Sequence, residues 1–322
     1  MRLGMVGLGR MGGDMTRRLM GDGHEVVVFD LSPEAVADLA DEGAAASSGI
    51  EDMVTQLGET GEPRVVWLML PAGEITGSTV TKVLGLLSPG DVIVDGANSN
   101  WEHTRARAQE AEAQGVHYMD CGTSGGIWGL REGYNLMVGA SDEAFAVLEP
   151  ALKTLAPKGG YAHVGPTGSG HFVKMIHNGI EYAIMQSYGE GFEAMENYPH
   201  ADLNLSQIAD LWTHGSVVRS WLLELAASAL KKDVALNDVR AYVDDSGMGR
   251  WTVEYGVKQA VPMAAISAAL FARFSSRQTD SFSAKLAAAL RNEFGGHAIH
   301  EKLDAEGIEA SGVEETTPEE AG

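Results

Sequence analysis

A parallel α/β unit followed by an all-helical unit is the architecture that this 322-residue sequence predicts. Three observations point there. In the first half, short apolar or β-branched runs alternate with helical segments, the pattern of strands joined by crossover helices. A glycine cluster sits where the first such run meets the first helical segment. Beyond about residue 166 the strand signals stop, and long stretches rich in Ala, Leu, Met and Glu take over, a composition that favours helix.

Residues 3–6 give the first strand signal, followed by Gly7-Leu8-Gly9-Arg10-Met11-Gly12 and a helical segment at 11–20. Glycines placed there permit a tight turn and let a pyrophosphate approach the backbone at a helix N-terminus. A second strand at 25–29 leads into Asp30, whose carboxylate can accept hydrogen bonds from an adenosine ribose and would repel a 2′-phosphate. Strand, loop, helix, strand and acid in this order indicate a Rossmann-type N-terminal domain and favour NAD over NADP. After a helix at 33–41, further strands are expected at 65–70, 91–95 and 117–120.

Two strand ends carry polar candidates. Asn98, in the run Asp95-Gly96-Ala97-Asn98-Ser99-Asn100, lies at the edge where open α/β sheets bind ligands, although the same residues suit a plain Asn/Gly turn. Ser124-Gly125-Gly126 offers a hydroxyl and open backbone N–H groups to a carboxylate, with a flexible loop as the alternative.

In the second half, helices are expected at 168–196, 206–213, 216–229, 251–258, 263–276 and 280–293. The first is the most informative. Lys174, His177, Asn178, Glu181 and Tyr182 fall at i, i+3, i+4, i+7 and i+8, so one stripe gathers an amine, an imidazole, an amide, a carboxyl and a phenol. Met175, Ile176, Ile180, Ala183 and Ile184 are left to face the core. A solvated face would instead repeat Glu and Lys. The stripe therefore has the groups of an acid/base site.

The net charge of −22 argues against nucleic acid and against anionic membrane, which both need a basic face. Residues 303–322 contribute seven acids and no Lys or Arg, a composition for which disorder is expected. The single cysteine, Cys121, excludes an internal disulfide and suits a reducing cytoplasm. No metal site is indicated. The longest strongly apolar stretch, 260–272, is shorter than the roughly 20 residues of a spanning helix. A soluble protein without a leader is expected.

With these residues assembled, the chain resembles the 6-phosphogluconate dehydrogenases of the decarboxylating, short-chain, NAD-dependent type, within the β-hydroxyacid dehydrogenase superfamily. The likeness runs from Met1 to about Lys302. It rests, in family order, on G-L-G-R-M-G, D-G-A-N-S, S-G-G, K-M-I-H-N-G-I-E-Y, G-M-G-R-W-T, F-A-R and R-N-E-F-G-G-H. The resemblance implies an NAD-binding domain over 1–166, a helical substrate and dimerisation domain over 167–302 and an acidic tail over 303–322. It also implies oxidation of 6-phospho-D-gluconate, with loss of carbon dioxide, to the pentose phosphate D-ribulose 5-phosphate.

Carried over by position, Lys174 matches the base that takes the C3 hydroxyl proton and then protonates the C3 carbonyl oxygen as carbon dioxide departs. Glu181 matches the acid that protonates C1 of the enediol. His177 and Asn178 match ligands of the hydroxyl-bearing carbons, and Ser124, Gly125 and Gly126 match those of the carboxylate. Asn98 would join cofactor to substrate. Tyr182 and Arg273 match phosphate contacts, as do Arg291 and His297, which in this family reach into the neighbouring subunit's site and so imply a homo-oligomer. Without the resemblance, Arg273, Arg291 and His297 would read as surface residues.

The departures are informative. Asp30-Leu31-Ser32 stands where long-chain NADP-dependent members have an Asn-Arg-Thr cluster, which reinforces NAD. Ser246 stands where their K-G-T-G-K-W-T motif begins with lysine, leaving one positive phosphate ligand to be replaced by Arg250 or another residue. Pro71 replaces a lysine of their cofactor loop. Two alternatives stay open. One is a dehydrogenase of a small β-hydroxyacid such as 3-hydroxyisobutyrate, which would not need His177, Glu181, Arg291 or His297. The other is a non-catalytic NAD-binding sensor, against which the retention of Lys174 and Glu181 speaks.

Overall fold

A computed structural model of the protein describes residues 1–58 and 61–300. The acidic segment 303–322 lies outside the described residues. Eight strands form one sheet in the order β3-β2-β1-β4-β5-β6-β7-β8. They are β1 (Arg2–Val6), β2 (Glu25–Phe29), β3 (Ala45–Ala46), β4 (Val65–Leu68), β5 (Val92–Asp95), β6 (His117–Ser124), β7 (Asn135–Gly139) and β8 (Tyr161–Gly165). The connecting helices are α1 (Arg10–Gly21), α2 (Pro33–Asp41), α3 (Ile50–Leu57), α4 (Glu74–Leu84), α5 (Trp101–Glu112), α6 (Gly129–Glu132) and α7 (Asp142–Leu155).

Both faces of the sheet are covered. Leu3, Met5, Val65, Trp67, Val92 and Val94 pack into one core, while Val6, Val66, Leu68 and Ile93 pack into the other. Strands buried on two sides read as continuous apolar runs, which is why the first strands are legible in the sequence. Three strands are not. β3 has only two residues, β8 (Tyr-Ala-His-Val-Gly) has no fully buried residue, and β7 (Asn-Leu-Met-Val-Gly) is as buried as the first strands but is not among the expected ones.

Three expectations about the sheet are corrected. It is not wholly parallel, because β6 and β7 run antiparallel, pairing Asp120 through Ser124 with Gly139 through Asn135. That pairing carries β6 past the expected end at residue 120, so Ser124 closes a strand and does not open a loop. The expected strand at 65–70 ends at Leu68.

The helical half begins with the 28-residue α8 (Ser169–Glu196), followed by α9 (Leu205–Thr213), α10 (Trp221–Lys232), α11 (Met248–Gln259), α12 (Ala264–Ser276) and α13 (Phe282–Gly295). α10 starts five residues later than the expected 216, because the Ser220 hydroxyl caps it by accepting from Leu223 N–H at 3.1 Å. α11 starts earlier than the expected 251, just after Gly247 with φ +88°. Two compact units result. The first spans residues 1–240 and 244–273; the second comprises 241–243 and, among the described residues, 274–300. No described helix is long and apolar enough to cross a membrane.

Candidate active site

The glycine loop divides its labour. A Cβ on Gly7 (φ +92°) would stand 2.4 Å from the Met69 carbonyl oxygen, and one on Gly12 would stand 1.9 Å from the Gly7 carbonyl oxygen. Close packing therefore demands both. A Cβ on Gly9 would meet nothing within 4 Å. Gly9 is also the N-cap of α1, whose first turn has no side-chain cap and no acid. Open space before uncapped N–H groups fits a pyrophosphate. Asp30 closes the rim: its carboxylate accepts from Leu8 N–H at 2.6 Å and from Ser32 N–H at 2.8 Å. The carboxylate is thus fixed at the loop and keeps acceptor capacity for a ribose hydroxyl.

Asn98 adopts φ +52°, a left-handed conformation that Asn tolerates better than most residues. Its side chain grips the end of β6, with Oδ1 accepting from Thr123 N–H at 3.0 Å and Nδ2 donating to Thr123 O at 3.3 Å. The adjacent Gly125 (φ +134°) and Gly126 (φ +52°) then turn the chain away from Ser124.

Where α8 passes β6, a Cβ on Gly122 would stand 2.5 Å from Lys174 Cβ, so the lysine stem lies directly on the strand backbone. Lys174 is only 5% exposed. Desolvation lowers its pKa from the ordinary lysine value to about 8, with the Glu181 charge pulling the other way. Its Nζ stands 3.5 Å from His177 Nδ1, which is 3.0 Å from Asn178 Oδ1 and 3.9 Å from Glu181 Oε2. Amine, imidazole, amide and carboxylate form one continuous polar chain along the helix.

A cavity of about 960 Å³ receives these groups. Met11, Asn98, Ser124, Gly125, Gly126, Lys174, His177, Asn178 and Glu181 line it, joined by Thr123, Trp128, Ile180, Ile184 and Trp221. Pattern reading of the sequence singled out neither Trp128 nor Trp221, because an isolated Trp has no periodicity to mark it.

The α8 stripe faces the opposite way from the simplest amphipathic reading. Lys174, Met175 and Tyr182 are buried, whereas Ile180 and Ile184, expected in the core, are 49% and 36% exposed and Ile176 and Ala183 are partly so. The helix packs on β6 and β7 through Gly170, Lys174 and their neighbours, so the polar stripe turns inward onto the cavity.

Tyr182 does not line that cavity. Its hydroxyl accepts from Ser246 N–H at 3.1 Å, and the Arg273 guanidinium lies 3.4 Å from its ring centroid. Arg273 also donates to the Asp244 carbonyl at 2.8 Å. Arg250, considered as a replacement for the lysine missing at Ser246, is instead engaged by the Asp245 carboxylate through two 2.9 Å bonds. Arg291 on α13 and His297 belong to the second unit. There the His297 carbonyl accepts from Asn292 Nδ2 at 2.8 Å. Among the described residues no cluster of His, Cys, Asp or Glu is placed to hold a metal.

The fold and its glycine loop together define a dinucleotide-binding protein of the Rossmann type with a helical C-terminal half. Residues 2–165 match the NAD binding domain of 6-phosphogluconate dehydrogenase, and residues 170–305 match the 6-phosphogluconate dehydrogenase C-terminal domain. The chain belongs to the 6-phosphogluconate dehydrogenase family. It is 44% identical, over 94% of its length and 100% of the relative's, to the NAD(+)-dependent, decarboxylating 6-phosphogluconate dehydrogenase of Haloferax volcanii. The Plasmodium falciparum 6-phosphogluconate dehydrogenase superposes with a TM-score of 0.79 at 27% identity, over 92% of this chain and 65% of that one. A Mycobacterium tuberculosis 3-hydroxyisobutyrate dehydrogenase shares the fold, with a TM-score of 0.69 at 24% identity over 90% of this chain and 99% of that one.

Proposed function

We propose that the protein oxidises and decarboxylates 6-phospho-D-gluconate to D-ribulose 5-phosphate with NAD, using Lys174 and Glu181 as its acid/base pair. The observation that carries this reading is a buried lysine with a pKa near 8, facing a cavity on the same helix stripe as a carboxylate. A lysine base must be neutral to accept a proton, and burial against Gly122 makes the neutral form accessible near neutral pH. Lys174 would take the C3 hydroxyl proton and, as the resulting ammonium, give it to the C3 carbonyl oxygen when carbon dioxide leaves. Glu181, also on the cavity wall, would protonate C1. Two groups of different basicity suit the two proton transfers.

Bound NAD would supply the hydride acceptor. Gly7, Gly9 and Gly12 would admit its pyrophosphate, with Leu8, Arg10 and Met11 forming the rest of the loop and Asp30 receiving the ribose. A carboxylate at Asp30 and the exposed Leu31 beside it support NAD over NADP, since neither can hold a 2′-phosphate. Ser124, Gly125 and Gly126 would hold the substrate carboxylate, and His177 and Asn178 its hydroxyls. Tyr182 and Arg273 would meet the phosphate. Arg291 and His297 would complete a neighbouring subunit's site in a homo-oligomer, the work of a helical substrate and dimerisation domain at 167–302 behind an NAD-binding domain at 1–166. A cytoplasmic enzyme of sugar-acid breakdown fits this chemistry.

The test is NADH formation with 6-phosphogluconate, gluconate and 3-hydroxyisobutyrate, each with NAD and with NADP. The reading expects turnover with 6-phosphogluconate and NAD and ribulose 5-phosphate as product. Turnover restricted to an unphosphorylated acid would overturn it.

A further inference from the structure

Lys174 keeps its depth through contacts made outside its own stripe. α8 begins at Gly168 (φ +97°) without a side-chain cap from its own chain neighbours. The Asp120 carboxylate of β6 takes that role, accepting from Gly168 N–H and from His171 N–H, each at 2.6 Å. Asp120 is completely buried. A second tether lies one turn before the lysine. His171, 1% exposed, places Nδ1 2.8 Å from the Thr104 hydroxyl on α5, while its Nε2 has no hydrogen-bond partner. Between the two tethers, a Cβ on Gly170 would stand 2.4 Å from the Met137 carbonyl oxygen and 2.6 Å from that of Asp120.

None of Thr104, Asp120 and His171 lines the cavity, so none of them can touch substrate there. Asp120 instead ties the first turn of α8 to β6, and the Thr104–His171 pair ties it to α5. A buried polar link of this kind specifies one arrangement, because any other leaves its groups unpaired in a dry environment.

We propose that Asp120 and the Thr104–His171 pair are positioning residues that fix how deeply Lys174 lies against Gly122, and thereby keep its amine desolvated. The inference rests on Lys174 being the base. The charged or titratable groups facing this region are His171, His177 and Glu181 on α8 itself, Asp120 and Cys121 on β6, and Arg105 and Arg107 on α5, of which Arg107 is paired with Asp95. A neutral substitution at Thr104 removes none of them, and His171→Leu gives the same readout with no imidazole present, so a shift in the basicity of Lys174 shared by both variants would report its hydration.

The experiment compares Thr104→Val with Thr104→Ser in the full-length protein, following kcat, KM for 6-phosphogluconate and the pH dependence of kcat, beside thermal melting. Thr104→Val removes the hydroxyl at nearly constant shape. It should lower kcat about tenfold, a small misplacement on the scale of such effects. KM should change little, and the acid limb of the profile should move to higher pH as the amine regains water. Thr104→Ser should restore both. His171→Asn, which retains a hydrogen-bonding group near the Nδ1 position, should behave like Thr104→Ser, and His171→Leu like Thr104→Val. If Thr104→Val and His171→Leu lower only the melting temperature, with kcat and the acid limb unmoved, the three residues are structural alone and the proposal fails. Lys174→Met separates the two failures: substantial turnover in that variant would refute the base itself.

Discussion

Lys174 illustrates how a single residue can be wrong for stability and right for chemistry. Its pKa near 8, below the ordinary lysine value, means that folding disfavours its charged form. That penalty is complete below the folded pKa and is relieved as pH rises from about 8 towards the unfolded value near 10.4. Lys174→Met should therefore be more stable than the parent at pH 7, by at most about 3 kcal/mol. The advantage should shrink in alkaline buffer; melting curves at two pH values measure it. The same variant should bind NAD normally and lose nearly all turnover, and the parent's rate should rise with pH through about 8 as the amine loses its proton. At the cofactor end, Asp30→Ala with Leu31→Arg should shift preference towards NADP. Leu31 is 91% exposed, so an arginine fits without repacking, and kcat/KM with each cofactor reads the outcome.

At the scale of elements, the glycine loop and α8 show what a pattern in sequence does and does not say. G-L-G-R-M-G is legible because three glycines at fixed spacing between strand and helix have a mechanical reason to be there. Only the structure separates their reasons. Gly12→Ala would force a Cβ to 1.9 Å from the Gly7 oxygen and should cost folding stability. Gly9→Ala, which meets nothing within 4 Å, should leave the melting temperature nearly unchanged and weaken NAD binding at least tenfold by filling the phosphate's space. Calorimetric titration beside melting curves distinguishes the two. For α8, periodicity put Lys174, His177, Asn178, Glu181 and Tyr182 on one stripe, of which the first four line the cavity and Tyr182 does not. Its assignment of the apolar residues to the core failed at Ile180 and Ile184, since periodicity fixes which residues share a face but not what that face meets. β8 escaped the sequence because none of its five residues is fully buried, so it shows no apolar run, whereas β7 is absent from the expected strands although it is as long as β1.

On the scale of the whole molecule, the helical half buries little of its own apolar surface. Leu205, Ala209 and Leu230 form a small cluster, while Met185, Leu211 and Val257 are 43%, 62% and 80% exposed. The homo-oligomer proposed above would cover apolar side chains of this kind. Leu211→Glu should shift the protein to monomers and lower activity, which light scattering and assay on the same samples would read; an unchanged mass would place the interface elsewhere. The sequence by itself determined the alternating α/β half, the helical half, the glycine loop followed by Asp30 and the shared face of Lys174, His177, Asn178 and Glu181 on α8. Each of these depends on local conformation or on spacing along one element. Tertiary structure alone decided which face of α8 turns inward, how far burial lowers the basicity of Lys174, that Asn98 grips Thr123, and that Arg250 is engaged by Asp245. Those outcomes depend on desolvation and on contacts between residues distant in the chain, and no linear pattern encodes either.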